Sequence, residues 1–145
     1  MQSVTLPDTL TTIGKECFSY CSTLDSVKMG NSLTAMGEKT FYYCKALQSV
    51  TLPATLTTIP AYAFANCEAL ESVTMNEGTT AIGQYAFQNC KLLAKVALPK
   101  GLLSIGAYSF TNCIALKSVT IPDSVTSIGT YVFQNCTLLE SATFG

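Results

Sequence analysis

Polar and apolar residues alternate along this chain in short bursts that return at a fixed interval. Ser49-Val50-Thr51-Leu52 alternates polar with apolar and is rich in β-branched side chains, the pattern of a strand with one face buried. Pro53 ends it, because proline has no N–H to donate to a continuing ladder. Leu56 and Ile59 fall at intervals too irregular for a long helix, so they are expected to point inward beside a second short extended stretch. Ala63-Phe64-Ala65-Asn66-Cys67 then sets apolar residues at i, i+1 and i+4, which predicts one turn of helix, α or 3-10, with one face inward.

The interval is 23 residues. Cys21, Cys44, Cys67, Cys90, Cys113 and Cys136 keep it, as do Phe18, Phe41, Phe64, Phe87, Phe110 and Phe133. Leu24 to Leu139 and Val4 to Val119 run in the same step, without insertion or deletion. Gly14, Gly37, Gly83, Gly106 and Gly129 share one position, which suggests a tight turn, and Pro60 takes that place in the third copy. A strict period of this length means a stacked repeat, since one unit cannot bury its own apolar side. Stacking sets successive copies about 4.8 Å apart, each large side chain on its counterpart. Six 23-residue units fill the chain, and residues 1–145 form a single domain.

Leu47-x-x-Val50-x-Leu52 has the strand signature of leucine-rich repeats. The remainder of the unit, best seen in Ile121-Pro122-Asp123-Ser124-Val125-Thr126-Ser127-Ile128-Gly129 and in Ala86-Phe87-Gln88-Asn89-Cys90, resembles the BspA-like, or treponemal, class of that fold. The resemblance covers the whole chain. It implies a right-handed solenoid with a parallel β-sheet on the concave side, and short β bridges and helical or 3-10 turns on the convex side. It also implies an extracellular or cell-surface protein, mostly of microbes, that adheres to host proteins, matrix, glycans or neighbouring cells. The family has no common catalytic site. Pro60, Gly30, Asn76 and Thr79 depart from the family pattern, which bears on local loop shape only.

Composition narrows the chemistry. The chain is 48% hydrophobic and 12% charged, against roughly 25% charged for an average domain. Its net charge is −1, with lysine the sole basic residue and no histidine. No clustered basic patch favours nucleic acid, and no apolar run reaches the ~18 residues of a membrane-inserting helix. With no histidine and no Cys-x-x-Cys pair, no metal or other cofactor is expected. The register cysteines read as a reduced, buried ladder, although neighbouring copies lie within bridging range. Cys17 fills the slot of Ala63 and Ala86 and reads as one more small buried residue. Asn66, Asn89, Asn112 and Asn135 read as inward residues that satisfy neighbouring backbone groups. The same inward placement argues against the glycosylation sequon Asn135-Cys136-Thr137.

Two surfaces remain as candidates for binding. On the sheet, Ser26, Lys28, Ser49, Thr51, Ser72, Thr74, Lys95, Ser118 and Thr120 face outward as a flat, hydroxyl-rich array with sparse charge. On the convex side, Tyr62, Tyr85, Tyr108 and Tyr131 form an aromatic row in the later copies. Nearly every polar residue belongs to a repeating row, whereas catalysis needs unlike groups converging once, so an enzyme is not expected. The expected function is an adhesion or interaction module that captures a protein or glycan. A structural spacer that projects other domains is the alternative. Neither end carries a polar capping unit, which predicts a fragment of a longer array or end-to-end self-association.

Overall fold

The computed structural model describes residues 2–145 and is a stack of parallel coils. Counting 23 residues from each strand-leading leucine gives coils 2–23, 24–46, 47–69, 70–92, 93–115 and 116–138, followed by the opening strand of a seventh. In chain order the strands are β1 (Gln2–Thr5), β2 (Thr12–Ile13), β3 (Leu24–Lys28), β4 (Ala35–Met36), β5 (Ser49–Thr51) and β6 (Thr58–Ile59). They continue with β7 (Ser72–Thr74), β8 (Ala81–Ile82), β9 (Ser104–Ile105), β10 (Ser118–Ile121), β11 (Ser127–Ile128) and β12 (Ser141–Phe144). Every pairing is parallel and joins residues 23 apart, apart from a bulge at Gln2. The spacing in sequence has become the spacing in space.

The main sheet is uneven. β1 with β3, β5 with β7 and β10 with β12 pair along several residues. Between coils 2 and 3 only Ser26 meets Ser49, and between coils 5 and 6 only Lys95 meets Ser118. No main-sheet pairing joins coils 4 and 5. The second ladder, of two-residue strands, runs β6-β8-β9-β11 but stops between β4 and β6. Pro60 explains that stop. Gly37, Gly83, Gly106 and Gly129 each donate an N–H to the isoleucine carbonyl of the coil before, and a proline at the same position cannot.

These glycines are not left-handed, as a tight turn would have required; no glycine among the described residues has positive φ. They are needed because the preceding coil fills the space of a side chain. A Cβ on Gly106 would sit 2.5 Å from the Gln84 nitrogen and 2.6 Å from the Gly83 carbonyl carbon.

The expected helical turn is absent: none of the described residues is helical. Each coil instead places two residues of positive φ four apart, such as Tyr62 (58°) and Asn66 (63°). They are the third residues of turns closed by Ala63 N–H to Pro60 O and Cys67 N–H to Phe64 O, as in a type II turn. A left-handed residue reverses the chain before a helix can propagate. The intervening amides are thereby freed to reach the next coil. Tyr62, Phe64 and Asn66 donate to the carbonyls of Gln84, Ala86 and Gln88. The same three positions make the same three bonds across all five boundaries between coils 1 and 6.

Inside this wall stands a column of parallel phenylalanine rings. Centroids from Phe18 to Phe133 are 5.3 to 5.7 Å apart, and Phe41, Phe64, Phe87 and Phe110 are fully buried. Each such pair adds about 0.5–1.5 kcal/mol beyond area burial. Leucines 47, 70, 93 and 116 and valines 50, 73, 96 and 119 complete the interior toward the sheet. Thr79 replaces a core leucine there, and its hydroxyl has no partner.

Candidate functional site

Alternation along the strands sends Val50 and Val73 inward and the residues beside them outward. Ser26, Lys28, Ser49, Thr51, Ser72, Thr74, Lys95, Ser118 and Thr120 are all exposed on one face. The row is hydroxyl-rich except at three places: Lys28, Lys95 and Ala97. Two of these fall in coil 5, where the sheet comes apart. No ion pair engages Lys28, Lys95, Lys100 or Lys117 among the described residues.

Two hollows interrupt the face at equivalent places, three coils apart. One, of about 520 Å³, lies beside Lys28, Met29, Thr51 and Pro53. The larger, of about 760 Å³, lies beside Lys95, Ala97, Leu98, Thr120 and Pro122. Each opens just past the single remaining strand pair, Ser26 with Ser49 or Lys95 with Ser118.

On the turn side Tyr62, Tyr85, Tyr108 and Tyr131 stack at 4.7, 4.9 and 5.2 Å, the first three half-buried and the last exposed. All four sit at positive φ, where a bulky side chain is uncommon. A second aromatic group was not read from the sequence. Tyr20 stacks on Tyr43 at 5.1 Å, Tyr42 meets both edge-on, and the Lys39 ammonium lies over the rings of Tyr42 and Tyr62. Partial burial and the neighbouring phenols of Tyr43, Tyr20 and Tyr62 push the Tyr42 hydroxyl above its usual pKa. Its signal was available: Tyr20 and Tyr43 occupy the asparagine position of later coils.

The asparagines correct their expected role. They do not cap loop backbone but bond to one another: Asn135 donates to Asn112, Asn112 to Asn89 and Asn89 to Asn66, at 2.9, 2.7 and 2.6 Å. Their other task is to hold the left-handed turn, which asparagine tolerates better than most residues. Asn66 is buried but Asn135 is exposed, so inward placement does not argue against the sequon.

All seven cysteines are free. Cys44 through Cys136 are buried, and their thiols donate to phenylalanine carbonyls, as Cys90 does to Phe64 at 3.3 Å. Burial pushes the Cys44 thiol up to about 12 and those of Cys67 and Cys90 well above the ordinary value. Such thiols are poor nucleophiles and poor metal ligands at neutral pH. Cys17 is exposed, contrary to expectation. Its slot is buried in Thr40 and Ala63, which have a coil on each side, whereas coil 1 of this chain has a neighbour on one side only. Among the described residues no cluster of cysteine and carboxylate groups is arranged to hold a metal, and no helix is long and apolar enough to cross a membrane.

Among curated proteins, no relative matches this chain. Solved structures do. A leucine-rich repeat protein from Bacteroides ovatus is 31% identical over 97% of this chain, with a TM-score of 0.89, and the match spans 36% of that protein. The leucine-rich repeat protein of T. pallidum is 26% identical over 97% of this chain and 57% of its own length, with a TM-score of 0.67. A leucine rich cell surface protein of Faecalibacterium prausnitzii shares the fold at 23% identity and a TM-score of 0.60, over 100% of this chain and 61% of its own. This chain thus spans between about a third and three-fifths of the length of these three proteins. The family model for the BspA type leucine rich repeat region matches six copies, over residues 1–96 and 57–145. With that match along its whole length and 23-residue coils stacked in register, the chain belongs to the BspA type leucine rich repeat family.

Proposed function

We propose that this chain is a non-catalytic interaction module of a bacterial cell-surface protein, capturing a protein or glycan through its sheet face. The observation that carries this reading is the outward row of hydroxyls and lysines, presented on consecutive coils with no loop or side chain covering it. Extended repeat surfaces of this kind suit contact with large partners. The surface location is supported by the family and by the F. prausnitzii relative, a leucine rich cell surface protein. The non-catalytic reading is supported by the titratable groups: the thiols are mostly buried, the acids are exposed or half-buried, and the four carboxylate–lysine contacts are solvent-facing ion pairs.

The test replaces Thr51, Thr74 and Thr120 with lysine together, with Tyr62→Ser and Tyr85→Ser as a turn-face comparison. Capture of host matrix proteins and glycans by immobilised protein is then measured. Loss of capture with the sheet variant alone supports the proposal. Unchanged capture with it, or capture lost only with the tyrosine variant, removes the sheet from the binding role and leaves a spacer or a turn-face binder.

A further inference from the structure

The larger hollow on the sheet face has properties that its smaller equivalent lacks. In closely paired coils the residue after the strand donates to the next coil, as Leu52 N–H does to Thr74 O and Leu6 N–H to Lys28 O. Leu98 N–H makes no such bond to Thr120, so a main-chain donor and a main-chain acceptor face the hollow without each other. The floor is apolar, formed by Val96, Leu98, Val119 and Pro122. Ala97 stands where other coils carry threonine or lysine, which widens the opening. Lys95 and Lys100 lie at the margin with neither ammonium in an ion pair, while Asp123 lines the hollow and Glu77 accepts the Lys100 main-chain N–H at 3.2 Å.

We propose that this hollow between coils 5 and 6 is a docking groove for an extended peptide in which acidic and aliphatic residues alternate. The proposal rests on the sheet-face reading above and names its ligand. An extended peptide entering the gap beyond the Lys95–Ser118 bridge supplies what the groove lacks: a carbonyl for Leu98 N–H and an N–H for the Thr120 carbonyl. Its aliphatic side chains cover the floor, and its carboxylates meet Lys95 and Lys100 at the rim. A sugar polymer is the poorer fit. Saccharide faces pack on aromatic rings, and the groove lining contains none. The hollow between coils 2 and 3 offers the same backbone opening with only Lys28 beside it, so it takes the same peptide more weakly.

The experiment uses the isotopically labelled protein and three probes: an eight-residue peptide alternating glutamate with valine, its counterpart alternating lysine with valine, and an oligogalacturonate. Amide shifts are followed during titration of the native protein and of Lys95→Glu/Lys100→Glu. Both lysines are exposed, so the variant retains the fold, which its unperturbed turn-side amides verify. The acidic peptide is expected to shift Ala97, Leu98 and Thr120 first, with affinity falling at least about tenfold in the variant, as for loss of two opposed charges. Equal binding of the basic peptide, preference for the oligogalacturonate, or an unchanged affinity in the variant overturns the proposal. If the threonine variants abolish capture of a large partner while Lys95→Glu/Lys100→Glu leaves it intact, the groove proposal fails and the sheet-face reading stands.

Discussion

The two long sides of this solenoid are built from the same repeat yet are joined very differently. On the turn side, three backbone hydrogen bonds cross every boundary from coil 1 to coil 6, phenylalanine and thiol columns run behind them, and a tyrosine row joins coils 3 to 6. On the sheet side, pairing dwindles to one residue between coils 2 and 3, vanishes between 4 and 5, and is a single bridge between 5 and 6. The side without assigned secondary structure is the more continuous one. Parallel strands are usually treated as the spine of such a fold. Here the turns serve as the spine, which leaves the sheet free to open at particular coils and expose unpaired backbone.

The contrast makes specific demands. The largest effect is expected at alkaline pH, because the buried thiols all lie on the turn side. In the unfolded chain they lose protons above their ordinary value of 9.0, whereas in the folded chain burial holds them protonated, Cys44 up to about 12. The unfolded state then binds fewer protons, so stability is intact below pH 9 and falls as pH rises from 9 toward 12. Each such thiol contributes a slope of at most about 1.4 kcal/mol per pH unit. Denaturant midpoints measured across that range should decline, and Cys67→Ala/Cys90→Ala should flatten the decline.

Next comes Phe87→Ala, which removes a ring stacked on both Phe64 and Phe110 and should cost about 3–5 kcal/mol in urea unfolding. Thr74→Ala, on the exposed face of β7, should stay within about 0.5 kcal/mol. Gly106→Ala forces a methyl group into the backbone of coil 4 and should cost about 1–3 kcal/mol. Gly14→Ala, at the same position but with nothing within 4 Å of the added carbon, should be neutral or stabilise by up to about 1 kcal/mol. A further pair of variants separates two tasks of one residue. Asn112→Gly loses the amide bonds to Asn89 and Asn135 but keeps the turn, whereas Asn112→Ala loses both, and thermal unfolding should rank alanine below glycine by about 1 kcal/mol.

Much of this architecture is legible in the chain, and the reason is repetition. Phe64 alone is an apolar residue of uncertain direction; six phenylalanines at one interval state that they share an interior. The outward Ser-x-Thr row was likewise readable, because β-strand alternation fixes both faces once Val50 is known to be inside. The turn side was misread as helix, since the apolar spacing of Ala63, Phe64 and Cys67 satisfies a helical face and a left-handed pair equally well. Asn66 and its counterparts carried a hint of positive φ. Tyr62, Lys39 and Glu16 carried none, because their conformation is imposed by stacking rather than by side-chain preference. Cys17 shows a further limit: burial of a repeat position depends on having coils on both sides, which a single unit cannot reveal. The splayed coils were half visible. Pro60 lacks the N–H that the second ladder needs, and Lys95 and Ala97 break the hydroxyl row, yet neither sign states how far the strands separate.

Amide hydrogen exchange on the native protein compares the two sides within one sample. If the turn-side ladder is the spine, the N–H groups of Phe64, Phe87 and Phe110 exchange most slowly, near the rate set by global unfolding, while Met29 and Leu98 exchange fast. Slow exchange at Met29 and Leu98, together with early loss of protection at the phenylalanine amides, would contradict it.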